Sequence, residues 1–232
     1  MSTYLLCIES STEICSVAIF EEETLISFVE ELNSNRHAEI LAPLVAQCMK
    51  NANITYDDLS AVAVSNGPGS YTSLRVGLST VKGICFAKSK PLIAIPSDVI
   101  LVEGNKTKAV QENCSHIIAM IDARRMEAYC SVFSLLEETT TDCQPVIFTE
   151  NQFEELQKEA SLIGLCGNGS PKFYVEANKT IFKLLSKETS ARFMGIPALK
   201  RYQQSIFDDV AYTTPIYVKP PNITLSKKNT FL

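Results

Sequence analysis

Asn66-Gly67-Pro68-Gly69-Ser70-Tyr71-Thr72-Ser73-Leu74-Arg75 is the stretch on which the reading of the fold turns. Just before it, Ala61-Val62-Ala63-Val64 is a short apolar run suited to a buried strand, and from Tyr71 to about Lys88 the chain reads as a long helix. A strand that enters a helix through a glycine turn leaves the first backbone amides of the helix free, an arrangement that holds anions. The stretch is not a Walker A loop, since no Gly-Lys-Ser/Thr follows, and it does not match G-x-G-x-x-G. Two readings stay open here: a phosphate-binding turn, or a tight turn demanded only by packing.

Downstream, the helix carries two files of small residues, Ser73, Gly77 and Thr80 on one, and Ser79, Gly83 and Ala87 on the other. Each interior glycine costs about 1 kcal/mol against alanine. Close approach of a neighbouring element would compensate, and that neighbour is either the chain's own sheet or a partner. Ser70 or Thr72 is placed to cap the helix, and Arg75, Lys82 and Lys88 suit its later turns through the helix dipole. Pro91 closes it, and Leu92 to Ile95 reads as the next strand.

Upstream, Tyr4 to Ile8, Ile14 to Phe20 and Leu25 to Val29 read as three short strands joined by polar turns, and this meander order implies antiparallel pairing. From Asn35 the period becomes helical. His37, Leu41, Leu44 and Cys48 share a stripe that Ile40, Val45 and Met49 widen. Pro43 lies inside this pattern, so the helix bends there or begins near Ala42. The order β-β-β-α-β-α-β predicts a mixed sheet with helices outside it.

The second half repeats part of this logic, with strands at Ile117 to Ile121 and Ala128 to Phe133 joined by a turn at Asp122-Ala123-Arg124-Arg125. Polar Gly104-Asn105-Lys106-Thr107-Lys108 suits a boundary, so the chain divides near residue 100 into a first lobe (1–100) and a second lobe (101–232). Gln152 to Glu159 reads as helix, Leu162 to Cys166 as extended chain and Gly167 to Ser170 as a turn. Pro197 to Phe207 reads as a last helix able to pack back on the first lobe. Lys219 to Leu232, with three lysines and no acid, reads as a tail without a core of its own.

Composition bounds the function. At 232 residues, 46% hydrophobic and 20% charged, the chain is ordinary for a globular protein and excludes a disordered one. No run approaches the roughly 20 apolar residues of a membrane span, and the opening Leu5-Leu6-Cys7-Ile8 is too short for a signal peptide, so a cytoplasmic location is expected. The eight cysteines contain no C-x-x-C pair and sit mostly in apolar stretches, which argues against structural zinc and a disulfide framework. Residues 1–70 hold ten acids against two bases, which disfavours direct nucleic-acid binding by that third. His37 and His116 are the two histidines, so no H-x-x-x-H or H-E-x-x-H exists, and no metal site or Ser-His-Asp arrangement has a local signature.

Taken in order, Ile8-Glu9-Ser10-Ser11-Thr12-Glu13-Ile14-Cys15-Ser16-Val17-Ala18, Asn35-Arg36-His37-Ala38-Glu39-Ile40-Leu41-Ala42-Pro43-Leu44, Gly67 to Leu78, Ile121-Asp122-Ala123-Arg124 and Pro215-Ile216-Tyr217-Val218 resemble the TsaB family of threonylcarbamoyladenosine tRNA-modification subunits. Gly67 to Leu78 is the most specific segment, and the chain beyond Asn151 matches weakly. The resemblance implies an actin/Hsp70/hexokinase-like (ribonuclease H-like) α/β fold of two related lobes with mixed sheets. It further implies a non-catalytic scaffold subunit that pairs with the catalytic paralogue TsaD through first-lobe helices, is joined by the ATPase TsaE, and reaches tRNA only through the complex. Without TsaD, the apolar stripe and small-residue helix surface is expected to pair with itself in a two-fold homodimer, because a self-complementary patch closes under that symmetry. No intrinsic cofactor is expected, and ATP or ADP only at a complex interface. The alternative is an ATP-hydrolysing or glycoprotease-like enzyme of the same fold.

Two sets of site residues follow. His37, Leu41, Leu44, Val45 and Cys48 on one helix, with Ser73, Gly77 and Thr80 on the next, are the expected partner interface. Glu9, Ser10, Ser11, Gly67, Gly69 and Asp122 mark a vestigial nucleotide loop. In an actin-like ATPase acidic residues in two such turns handle Mg²⁺ and water beside phosphates. Here neither the Glu9 turn nor the Asp122 turn contains glycine, and side chains at Ser11, Ala123 and Arg124 obstruct close approach of amides to phosphate. Glu9 also stands where the resembled family usually has Asp.

Overall fold

The computed structural model describes residues 2–32, 36–137, 140–148, 152–175 and 177–219. Strands β1 (Tyr4–Glu9), β2 (Cys15–Glu21) and β3 (Thr24–Glu31) form an antiparallel meander. Helix α1 (His37–Ala52), strand β4 (Ala61–Ser65), helix α2 (Tyr71–Lys88) and strand β5 (Leu92–Ile95) follow. The sheet order is β3-β2-β1-β4-β5, with β4 parallel to β1 and β5 parallel to β4. β1 and β4 occupy its centre, covered on both faces, which is why their sequences are continuously apolar rather than alternating.

One face of this sheet carries α1 and α2: Ile8, Val17, Ile19, Val62 and Val64 pack with Leu41, Val45, Cys48, Leu78 and Val81. Pro43 sits on the exposed side of α1, which starts at His37 and not near Ala42. No side chain caps α2, contrary to the expectation for Ser70 and Thr72; the Ser70 hydroxyl instead accepts from Ser73 Oγ at 3.0 Å.

The second half contains helix α3 (Ser97–Gln111), strands β6 (His116–Asp122), β7 (Glu127–Ser134) and β8 (Gln144–Ile147), helix α4 (Glu154–Glu159), strand β9 (Ile163–Cys166), helix α5 (Ser170–Tyr174), strand β10 (Phe182–Leu184), and, after a 3-10 turn at Ala191–Phe193, helix α6 (Gly195–Gln203). Its sheet order is β10-β9-β6-β7-β8; β7 and β8 continue antiparallel from β6, while β9 and β10 run parallel to it. The two sheets therefore share one topology, the duplicated ribonuclease H-like arrangement of the actin/Hsp70/hexokinase-like fold.

The division near residue 100 falls within α3, which continues through the polar stretch read as a boundary. Ile100 belongs to the core of the first sheet, and Leu101, Val102 and Ala109 to that of the second. Within that polar stretch Asn105 is buried: its Nδ2 donates to the Leu101 carbonyl at 2.8 Å and its Oδ1 accepts from the Ser186 amide at 2.8 Å, so a residue polar in sequence faces inward. α6 packs against β1 and β5, where Ala198 and Leu199 join Leu5, Ala61 and Ile93. All eight cysteines are free. Among the described residues no helix is long and apolar enough to cross a membrane. Residues 220–232 of the basic tail lie outside the described residues.

Candidate functional site

The two residue sets expected from sequence lie in different places. The β1–β2 turn, the start of α2 and the β6–β7 turn converge on a cleft of about 1040 Å³ between the lobes. The turn at residues 66–70 is tied to the β1–β2 turn by the Ser70 amide, which donates to the Ser11 carbonyl at 2.7 Å. A Cβ on Gly69 would collide with Ser11, and one on Gly67, whose φ is +113°, would come within 2.7 Å of the Ile216 carbonyl oxygen. Both glycines are therefore accounted for by chain packing on chain, the second of the two readings left open by the sequence.

Ser10 is likewise spent on structure: its amide donates to Ser65 Oγ at 3.2 Å and its hydroxyl to the Ser73 carbonyl at 3.1 Å. Glu9 is fully buried at the end of β1, and it does not line the cleft. Its Oε1 accepts from the Ser11 amide at 2.6 Å, and its Oε2 has no hydrogen-bond partner among the described residues. Burial raises the carboxyl pKa above its ordinary value, against the opposing pull of Ser11 and Ser65 nearby. The Ser11 hydroxyl lies beside this carboxyl without completing a well-formed hydrogen bond.

Across the cleft Asp122 is exposed and already partnered. Its Oδ1 accepts from the Arg124 amide at 2.6 Å and takes the ammonium of Lys172, which also donates to the Arg125 carbonyl at 2.8 Å. Arg124 and Arg125 adopt left-handed backbone conformations, φ 72° and 52°, and direct no hydrogen bond or ion pair from their side chains among the described residues. The C-terminal segment runs along one rim. The Ile216 amide donates to the Asn66 carbonyl at 2.7 Å, Tyr217 stacks on Tyr71 with ring centroids 4.5 Å apart, Arg75 Nε donates to Tyr217 Oη at 3.0 Å, and Lys219 pairs with Glu127 of β7. Sequence reasoning matched Pro215 to Val218 as a signature without assigning it a place; its role is set by contacts with residues some 140 positions away.

Most of the expected partner-interface set is buried within the chain itself. Leu41, Val45 and Cys48 are buried against the chain's own sheet, with Cys48 Sγ donating to Ser27 Oγ at 3.2 Å. Leu44 and Thr80 are half-buried, and the Thr80 hydroxyl donates to the Val76 carbonyl at 2.9 Å. Ser73 and Gly77 are buried, and a Cβ on Gly77 would strike Ser10 Oγ. His37 opens α1 beside the cleft and is buried: Nδ1 lies 3.5 Å from Ser73 Oγ, and Nε2 has no hydrogen-bond partner among the described residues. Burial lowers its pKa; the carbonyls of Ile14 and Thr12 oppose that shift without forming well-shaped hydrogen bonds. The apolar stripe is the core face because only an apolar face can cover the sheet.

The other side of these helices is open. Ala42, Pro43 and Ala46 on α1 and Ser79, Gly83 and Ala87 on α2 are exposed, nothing lies within 4 Å of the place a Gly83 Cβ would take, and Phe86 is 84% exposed. Of the two files of small residues on α2, the one through Gly77 faces inward and the one through Gly83 faces out. Periodicity finds both files but cannot by itself say which lies against the sheet.

Comparison with known proteins gives this geometry its family. The chain is 27% identical over 167 residues to the TsaB biosynthesis protein of Escherichia coli (strain K12), covering 69% of this chain and 70% of the relative. It is 33% identical over 129 residues to that of Haemophilus influenzae, covering 55% and 52%. The solved structure of YeaZ from Pseudomonas aeruginosa superposes with a TM-score of 0.78 at 22% identity, over 93% of this chain and 99% of that one, which shows a shared fold. The family model described as TsaD, tRNA N6-adenosine threonylcarbamoyltransferase, matches residues 23–227. With that match spanning most of its length, the chain belongs to the TsaD family, and the curated relatives it is similar to are named tRNA threonylcarbamoyladenosine biosynthesis protein TsaB.

Proposed function

We propose that this chain is a non-catalytic subunit of the machinery that makes threonylcarbamoyladenosine in tRNA, acting in the cytoplasm as the pairing partner of a TsaD transferase, with the ATPase TsaE joining the pair and tRNA engaged through the complex. The observation that carries the pairing role is the outward face of α1 and α2, where small residues lie beside an exposed phenylalanine. Small residues on an exposed helix face let another helix pair approach closely, which supports pairing there. Without its partner the same face closes on a second copy around a two-fold axis, because a self-complementary patch satisfies that symmetry. A stable version buries about 1,200 to 2,000 Å² in total.

Two features support a non-catalytic role. The chain's two histidines stand on different lobes, His37 at the start of α1 and His116 on β6, so they supply no paired imidazole ligands within one element. The two acids at the ends of β1 and β6 are both engaged, Glu9 by burial and Asp122 by Lys172. Any ATP or ADP in the assembly then belongs to an interface with a partner.

The test is co-purification with the TsaD of the same cell. The wild-type chain is expected to capture it, and Gly83→Arg, which fills open space without touching the core, is expected to lose it. Capture by Gly83→Arg equal to that by wild type would move the interface elsewhere.

A further inference from the structure

The pairing face leaves the Pro215-Ile216-Tyr217-Val218 signature unused, and the course of the chain around it shows what that segment is fixed to. The chain passes between the lobes twice, along α3 and again between β10 and the 3-10 turn, whose Ala191 belongs to the core of the first sheet. Two lobes joined at two such crossings can turn against each other about them. After α6 the chain stays on the first lobe and is tied down at intervals. The Asp208 amide donates to the Leu92 carbonyl at 2.9 Å, and the Asp208 carboxylate accepts from the Ala94 amide at 2.7 Å and from Arg201 Nη2 at 2.9 Å. Lys82 of α2 donates to the Ala211 carbonyl at 2.9 Å, and the Ile216 amide donates to the Asn66 carbonyl at 2.7 Å. Tyr217 is then fixed on Tyr71 by ring stacking, with the Arg75 guanidinium 4.1 Å from the centre of the Tyr71 ring and donating to both tyrosine hydroxyls.

Beyond Tyr217 the attachment changes. Residues 216–219 line the cleft, and Lys219 reaches over it to Glu127 at the start of β7 on the second sheet. The Lys219 side chain is 41% exposed and that of Glu127 19%, and ion pairs this open to water contribute little net stability and weaken with salt. The segment thus has a firm end on the first lobe and a light end on the second. We propose that residues 208–219 form an interlobe strap, in which the Lys219–Glu127 pair is a releasable latch holding the second lobe against the first. The Tyr217 stack and Arg75 aim the end of the strap across the cleft, which is the part the signature plays. When the latch opens, the strap stays on the first lobe and the β6–β7 turn is free to move away from it. This device is independent of the pairing face, since it acts at the cleft and not on the outer side of the helices.

Hydrogen–deuterium exchange of the full chain, read by mass spectrometry over residues 214–218 and over the β6–β7 turn at residues 122–127, tests the latch. At low salt Lys219→Gln and Glu127→Gln should each exchange about two- to fivefold faster than wild type at both segments, with unchanged thermal midpoints. The double variant should exchange no faster than either single one, because both remove the same interaction, and Lys219→Arg should behave as wild type. Potassium chloride at about 1 M should bring wild type to the Lys219→Gln rate while changing that variant little. Lys183→Gln, which breaks the Lys183–Glu112 pair within the second lobe, serves as the control for losing a surface pair and should leave both segments as in wild type. No acceleration at residues 122–127 in Lys219→Gln, additive effects in the double variant, or acceleration by Lys183→Gln equal to that by Lys219→Gln would each overturn the strap.

Discussion

The two glycines inside α2 stand six residues apart and do opposite things. Gly77 is buried and lets the helix settle onto Ser10 at the end of β1, whereas Gly83 faces open space and makes no contact that needs its lack of a side chain. A helix pays for an interior glycine wherever it stands, so an inner glycine answers to the fold and an outer one asks for something outside the chain. The same division runs through α1, where Leu41, Val45 and Cys48 belong to the core and Ala42, Pro43 and Ala46 to the surface.

Variants on the two faces sharpen this contrast. The largest loss of stability is expected for Leu41→Ala, which empties a position 1% exposed and should cost about 2 to 5 kcal/mol in chemical denaturation. Gly77→Leu follows. It forces α2 off Ser10 and should cost about 1 to 3 kcal/mol by overpacking, so any loss of pairing by this variant tracks loss of fold. Full stability in Gly77→Leu would mean that the inner face is not closely packed.

A third effect depends on pH. The folded-state pKa of Glu9 is raised by burial, so the native state holds the proton more tightly than the unfolded chain does. Its contribution to stability is complete below the ordinary glutamate value of about 4.3 and is lost as pH rises through the raised folded value. Wild type should therefore lose stability relative to Glu9→Gln across that range in denaturation series at several pH values. A constant difference between the two proteins would place Glu9 in contact with solvent. The smallest change in stability belongs to Gly83→Leu, where a better helix former enters open space and should add up to about 1 kcal/mol. Sedimentation of this more stable protein should nevertheless show loss of self-association.

The same contrast marks where sequence reading stops. The α2 span was legible because a glycine turn, a helical period and Pro91 bracket it, and the β1–β3 meander because polar turns separate its strands. α3 was not, since Asn105 and Ser97 are buried polar residues on a helix that serves two cores, which erases the one-sided pattern that betrays a surface helix. β10 has three residues and β8 four, the latter containing Pro145, too little for a strand signal. For the candidate sites, the glycine turn and the Asp122 turn were found, but their chemistry depended on Lys172, Lys219 and Tyr217, partners that only the folded topology brings near.

The central claim is that the outer face of α1 and α2 makes this chain a working subunit of tRNA modification. It is tested most directly by measuring threonylcarbamoyladenosine formed on tRNA in a reconstituted system from the same cell, with this chain omitted, added as wild type, or added as Gly83→Arg. Modification that requires the wild-type chain and is not restored by the folded Gly83→Arg protein is the predicted result. Modification that proceeds unchanged without the chain, or is fully restored by Gly83→Arg, would contradict it.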